Sequence, residues 1–82
     1  MGLIQKKVNR LKVDLQDKDK NIRIKAVKAL GKIGKPAIDP LIDSLKDLDT
    51  EVPSIAEKAL SKIGKSAVKP LIEALKDENL LV

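Results

Sequence analysis

Residues 28–47 read KALGKIGKPAIDPLIDSLKD, and residues 58–77 read KALSKIGKSAVKPLIEALKD. Both stretches belong to a thirty-residue unit, present as residues 17–46 and 47–76, whose two copies are identical at sixteen positions. A fixed period of roughly 20–50 residues is typical of stacked repeat arrays, in which each unit buries its apolar face against the next. The repeat therefore favours a binding function over a catalytic one.

Each unit predicts two helices. Asp19 is expected to cap the first helix and Gly34 to end it. The second helix is expected to begin near Pro36, with Ser66 as a good N-cap in the second copy. The predicted buried stripes have helical spacing. They comprise Ile22, Ala26, Ala29, Leu30 and Ile33 in the first helix, and Ile38, Leu41, Ile42 and Leu45 in the second.

The two ends of the chain predict incomplete units. Residues 3–16 keep helical spacing and correspond to a second helix without its first, and residues 77–82 begin a third unit. We therefore predict an all-α fold, a short α-solenoid of about five helices, as a single domain over residues 1–82. Its ends either pair with another chain or belong to a longer array, and we favour self-association. The apolar positions of the first helix are Ile4, Val8, Leu11 and Leu15.

The composition excludes several classes of protein. No apolar run approaches the roughly 18–20 residues of a membrane span, and the start of the chain lacks the apolar stretch of a signal peptide. Without cysteine there is no disulfide framework, so a cytoplasmic location is expected. Residues 1–36 carry eleven Lys or Arg and three Asp (+8), whereas residues 37–82 carry six Lys and nine acidic residues (−3). This charge asymmetry is consistent with an anionic partner at the basic end or with head-to-tail stacking of identical chains. It is also consistent with a lysine-rich surface that is only solvated.

These residues resemble HEAT-like repeats of the short type found in phycobilisome lyases. The family pattern is roughly D-x-D-x-x-V-R-x-x-A-x-x-A-L-G-x-I-G, followed by A-x-x-P-L-I-x-A-L-x-D. The first copy matches it with Asp17, Asp19, Ile22, Arg23, Ala26, Ala29, Leu30, Gly31, Ile33, Gly34, Ala37, Pro40, Leu41, Ile42, Leu45 and Asp47. The resemblance covers nearly the whole chain. It implies a stack of helix pairs with the first helices on the convex side and the second helices on the concave side.

The second copy departs from the pattern at two positions. The family arginine, present as Arg23, is replaced by Pro53, which implies that any hydrogen bonding between repeats by this arginine is lost there. Pro53 also predicts that this helix starts late or bends, whereas Pro40 and Pro70 are expected near the end of a first turn. Gly31 becomes Ser61, a small change that a close helix contact tolerates.

The sequence does not predict a catalytic function. Without His or Cys, the commonest metal ligands and most nucleophile–base pairs are missing, so no catalytic residue, metal site or cofactor is predicted. Relatives that hydroxylate a lysine-derived side chain hold iron with His–Glu pairs, so the resemblance does not carry that activity here. The pairs Asp17/Asp19 and Asp47/Asp49 recur once per unit, which favours helix capping over acid–base catalysis.

Two surfaces are candidate binding sites, although plain solvation is an alternative interpretation of both. The first, the lysine stripe, lies on the first helices and would contact phosphates. It consists of Lys25, Lys28, Lys32, Lys35, Lys58, Lys62 and Lys65. The second, the ridge, lies on the outward edge of the second helices, where a partner's helix or extended segment would bind. It consists of Asn9, Val13, Gln16, Asp39, Asp43, Lys46, Lys69, Glu73 and Lys76.

The sequence thus predicts a non-catalytic protein–protein interaction or assembly module. Its partner is another protein or a second copy of the chain bound at the open ends, with no membrane and no small-molecule substrate. The alternative is a basic nucleic-acid-associated protein that uses the lysine stripe. A third candidate is a non-catalytic subunit of a lyase-like or hydroxylase-like complex.

Overall fold

A computed structural model describes residues 2–77, which form five α-helices and one short 3₁₀ helix. The predicted third unit begins at the last of these residues and otherwise lies outside them. The elements are α1 (Gly2–Asp14), α2 (Lys20–Ile33), the 3₁₀ helix (Lys35–Ala37), α3 (Ile38–Ser44), α4 (Glu51–Ile63) and α5 (Lys65–Asp77).

The helices are arranged in two layers. One layer contains α2 and α4, which pack side by side, and the other contains α1, α3 and α5. α2 also packs on α1 and α3, while α4 packs on α3 and α5. This arrangement confirms the predicted all-α solenoid, because each helix of one layer is held by its neighbours along the chain and by the next unit.

The core between the layers is made of aliphatic side chains and alanines. Small residues allow the two helices of the first layer to approach closely. A Cβ atom on Gly31 would lie 3.0 Å from the Cβ atom of Ala59, which is tighter than an ordinary contact. Glycine at this position therefore sets the distance between α2 and α4. The largest fully buried side chains are Leu30, Leu41, Val8, Val27 and Val52.

The ends of α2 follow the expected chemistry. The Asp19 carboxylate accepts a hydrogen bond from the Asn21 N–H (2.8 Å), which confirms its role as N-cap. Gly34 has φ of 85°, and its N–H donates to the Leu30 carbonyl. Gly64 ends α4 in the same way, with φ of 75°. Both glycines occupy a backbone region that L side chains rarely adopt, which explains why they recur.

The second copy starts its second helix differently from the prediction. α5 begins at Lys65, directly after Gly64, so Ser66 lies inside the helix and is not its N-cap. Pro70 is consequently in the second turn of α5, not the first, whereas Pro40 lies in the first turn of α3 as predicted. The difference arises because the stretch before α3 is a separate 3₁₀ helix, whereas its counterpart is continuous with α5.

The start of α4 also corrects one expectation. Its N-cap residue is Thr50, without a side-chain cap bond, and the Asp49 carboxylate binds Arg23 instead of capping the helix. α4 begins at Glu51, one residue later than the repeat spacing from α2 requires. Pro53 lies in the first turn, where its missing N–H costs little.

Burial differs from the predicted stripes at three positions. Ile22 and Ile4 were expected inside but are 36% and 54% exposed. Val27 was not assigned to the stripe, yet it is fully buried. For Ile22 and Val27 the reason is that α2 packs on α4 as well as on the other layer, so a second face of α2 is covered and its apolar stripe is displaced toward the next repeat.

Arg23 joins the two repeats. Its Nε donates to Asp47 Oδ2 (2.9 Å) and its Nη2 donates to Asp49 Oδ2, both in the turn that precedes α4. Its Nη1 donates to the backbone carbonyls of Asp17 (2.7 Å) and Lys18 (3.0 Å) in the turn that precedes α2. One guanidinium therefore links equivalent turns of successive units, using the planar fork that lysine lacks.

A second ion pair joins α2 to α4. Lys20 Nζ donates to Glu51 Oε1 at 3.0 Å. The hydrogen bond that Lys20 donates to Glu51, and then the negative charge of that carboxylate, raise the pKa of Lys20 above its ordinary value. Both side chains are largely exposed, so this pair contributes little to stability compared with the Arg23 contacts.

Candidate functional site

The lysine stripe borders a groove on the outer face of α2 and α4. Four of its seven lysines line this groove, which has a volume of about 330 Å³. The floor is apolar and shallow, since Gly31 and Ala59 bring the two helices together there. All seven lysines are exposed, and Lys25, Lys35 and Lys65 lie outside the groove. The lysines that line it are Lys28 and Lys32 on α2, and Lys58 and Lys62 on α4.

The repeat explains this geometry. Lys28 and Lys32 are one helical turn apart, and the thirty-residue period places Lys58 and Lys62 at the same positions of the parallel neighbouring unit. Two cationic walls therefore face each other across an apolar floor. Such a groove attracts anions along both edges but holds no aromatic side chain on which a base would stack.

The ridge lies in the other layer, except that Gln16 and Lys46 lie in the turns after α1 and α3 and not on the helices as predicted; all nine of its residues are exposed. Four of them line a groove of about 380 Å³ between α3 and α5: Asp39, Asp43, Lys69 and Glu73. The groove floor is formed by Ile42, Pro70 and Ala74, which sequence reasoning did not include in the ridge.

A second groove, of about 290 Å³, adjoins the first between α1 and α3. It brings together Gln16, Asp43 and Lys46 of the ridge, so Asp43 belongs to both grooves. Asn9, Val13 and Lys76 lie outside them. Lys12 contributes to this wall but was missed, because its repeat counterpart is the buried Ile42 and the spacing therefore did not indicate a surface position.

The charges of the two grooves differ. The groove between α3 and α5 contains three carboxylates and one lysine, whereas the groove between α1 and α3 contains two of each charge. In the latter, the Asp47 carboxylate is already bound by Arg23. The two ridge grooves thus present mixed charges, with four carboxylates and three lysines between them, which suits a polar protein segment better than a polyanion.

The acidic pairs at the turns are structural. Asp17 Oδ1 accepts the Asp19 N–H at 2.8 Å, and Asp47 Oδ1 accepts the Asp49 N–H at 2.9 Å.

Within residues 2–77, no group of three acidic, histidine or cysteine side chains is placed to hold a metal ion. Gly31 lies inside α2 at a helix contact, and Gly34 ends that helix, so neither belongs to a phosphate-binding loop.

Membrane-spanning helices are not found in the described part of the chain, since none of its helices combines the necessary length and apolarity. A search of curated proteins and a search of solved structures both return no significant match. A family model does match: the model described as HEAT repeats covers residues 5–61, which include α2 and α3 and most of α1 and α4. With two stacked thirty-residue units and this match over most of its length, the chain belongs to the HEAT repeat family.

Proposed function

We propose that this chain is a non-catalytic protein-interaction module that holds a segment of its partner along the ridge. HEAT repeats are commonly interaction scaffolds, which supports the general assignment. We choose the ridge as the binding surface because two adjoining grooves run along it and share Asp43. A continuous, mixed-charge channel across three helices fits an extended or helical peptide, whereas a compact substrate would require an enclosed pocket.

Reversing the charge at Asp43 is the direct test of this surface. Asp43 is exposed, so Asp43→Arg leaves the fold intact but places a cation at the junction of both grooves. We expect the recovery of the partner, captured from lysate of the source cell on the immobilised chain, to fall by about tenfold. Circular dichroism of the variant verifies that the helices are unchanged.

The matched control is Glu57→Arg, which reverses an exposed acid of the other layer, outside both ridge grooves. A photo-crosslinking residue at position 43 should label the captured protein, and one at position 18, in the turn before α2, should not. Equal recovery with Asp43→Arg and Glu57→Arg would refute the ridge as the binding surface.

The lysine groove supports nucleic-acid binding as a second candidate function, because its walls match the positive charge that phosphates require. If four lysines each displace one counterion, the logarithm of the affinity for duplex DNA falls with the logarithm of salt concentration with a slope of about −3.6. Replacing Lys28 and Lys58 together by Glu should reduce that slope to about −1.8.

Lys18→Glu is the control for this measurement, since Lys18 is exposed but lies in the turn before α2, away from the groove. Binding that does not vary with salt, or that survives the double substitution with its slope unchanged, would exclude the groove as a phosphate site. Fluorescence anisotropy of a labelled oligonucleotide at several salt concentrations measures both slopes.

A further inference from the structure

The lysine groove between α2 and α4 carries positive charge that the described residues do not neutralise. It lies in the middle of the described part of the chain, since its lining runs from Val27 to Lys62. Every charged side chain among these lining residues is a lysine, namely Lys28, Lys32, Lys58 and Lys62. None of the four forms an ion pair with a carboxylate that the structure describes. The groove therefore presents four unpaired cations.

The acidic residues of the two walls are placed elsewhere. α2 contains no acidic residue, and α4 contains only Glu51 and Glu57. Glu51 accepts a hydrogen bond from Lys20, and Glu57 lines the groove between α4 and α5. The lysines of each wall repel one another, because like charges one helical turn apart are unfavourable. An acidic partner that pairs with both walls would relieve this repulsion.

The floor of the lysine groove distinguishes between acidic partners. It is formed by Val27 and Gly31 of α2 and by Ile55 and Ala59 of α4, none of which carries a polar side chain. A phosphate backbone would pair with the lysines but leave this floor without an apolar cover. Leucine or isoleucine side chains of a protein would cover it and gain the free energy of apolar burial. The floor therefore favours a protein segment over a nucleic acid.

The two walls select a helix over a strand. The partner must place acidic groups on both sides of an apolar row. In a strand, alternate side chains point to opposite faces, so the acidic residues would point away from the groove when the apolar residues face its floor. A helix presents an apolar stripe with acidic residues on both flanks. Its residues four apart also match the one-turn spacing of Lys28 and Lys32, and of Lys58 and Lys62.

We propose that the lysine groove is the docking site for an amphipathic helix of another protein whose apolar stripe is flanked on both sides by acidic residues. This inference rests on the proposed function, because it adds a second surface, in the layer opposite the ridge, to the same interaction module. The apolar stripe covers the floor, and the carboxylates of the two flanks pair with the lysines of the two walls. Duplex DNA is the competing occupant, since it would use the same lysines without covering the floor.

A second copy of the chain fits this groove poorly. The exposed apolar side chains of its described helices include Leu3 and Ile4 of α1, and Val68 and Ile72 of α5. α1 carries four cations and one acidic residue, and α5 carries three lysines and two acidic residues. Either helix would thus bring a net positive charge to cationic walls. The acidic surface between α3 and α5 is itself a groove and cannot enter another groove.

Three synthetic peptides of about 20 residues test the proposal. The first has leucines at helical spacing with glutamates on both flanks of the leucine stripe. The second replaces the leucines by glutamine, and the third replaces the glutamates by lysine. We expect the first peptide to bind the full chain at least about tenfold more tightly than either of the others, as measured by fluorescence anisotropy at physiological ionic strength.

Substitutions on both walls locate the bound peptide. Lys28→Glu on α2 and Lys58→Glu on α4 should each weaken binding of the first peptide by about tenfold, because each places a carboxylate against a flank of glutamates. Lys18→Glu changes the net charge equally but lies in the turn before α2, outside the groove, so it should leave the affinity unchanged. The Gly31 backbone amide signal should shift in NMR spectra on binding. Circular dichroism verifies that the helices of each variant persist.

Several results would overturn the proposal. Equal affinity for the glutamate peptides with and without leucines, and displacement of both by duplex DNA, would assign the groove to nucleic acid. Equal losses with Lys18→Glu and Lys28→Glu would remove the groove as the site. Sedimentation that shows a dimer abolished by Lys58→Glu would assign the groove to a second copy of the chain. If the first peptide does not bind while Asp43→Arg still loses the captured partner, the ridge function stands and the assignment of the lysine groove fails.

Discussion

Arg23→Ala is expected to lower the free energy of unfolding by about 3 kcal/mol. The Arg23 side chain is 14% exposed and the Asp47 side chain is 12% exposed, so truncation leaves a carboxylate in a nearly buried position without its cation. It also frees the carbonyls of Asp17 and Lys18 that the guanidinium binds. For a chain of this length, whose total stability is roughly 4–12 kcal/mol, this is a large fraction.

Two control variants distinguish the stability contributed by the guanidinium hydrogen bonds from the stability contributed by a positive charge alone. Arg23→Lys keeps the charge but cannot reach both turns, so it should recover only part of the lost stability. Lys20→Ala removes the exposed pair with Glu51 and should leave the unfolding midpoint nearly unchanged. Urea unfolding followed by circular dichroism provides the comparison, because the chain has no aromatic side chain for fluorescence. If Arg23→Ala and Lys20→Ala have the same effect, Arg23 does not link the repeats energetically.

Leu41→Ala is expected to cost about 3 kcal/mol, and its repeat counterpart Leu71→Ala clearly less. Leu41 is fully buried between the two layers, so its truncation removes apolar contacts and leaves a cavity. Leu71 occupies the same position of the second unit but is only partly buried. The difference arises because α5 packs on α3 and α4, whereas α3 packs on α2, α4 and α5. The loss of stability on truncation should follow the burial of each leucine.

The two leucine variants are each other's control, since the substitution and the repeat position are identical. Urea denaturation should give different midpoints with similar slopes, because both variants expose the same surface on unfolding. Equal losses at the two positions would contradict the environments described for α3 and α5.

Local features of the fold were predictable from sequence because they depend on neighbouring residues. Asp19 caps α2 through the backbone N–H two residues away, and Gly34 ends it through its own φ angle. Five lysines of the stripe lie on α2 and α4 as helical periodicity predicts, whereas Lys35 lies in the 3₁₀ helix and Lys65 begins α5, so those two were misplaced. Errors occurred where distant elements compete for one residue. Asp49 was interpreted as a cap but binds Arg23, 26 positions away in the chain.

The candidate sites show the same division. Sequence periodicity identified residues of the ridge, but it did not show that Asp43 joins two grooves or that Lys12 belongs to one of them. Grooves are properties of helix pairs, and their walls depend on how closely α1, α3 and α5 approach one another. The exposure of Val68 and Ile72 was not predicted either, because both correspond to core positions of the first copy.

By itself, the sequence determined the repeat, the helices and their order, because a thirty-residue period with apolar residues at helical spacing is compatible with few other structures. It also determined that residues 1–82 contain neither His nor Cys, which are the commonest ligands of zinc. The tertiary structure decided which of two equivalent residues is buried, and which carboxylates the arginine binds. Burial depends on which helices pack on each position, and the same sequence pattern therefore has different environments in α3 and in α5.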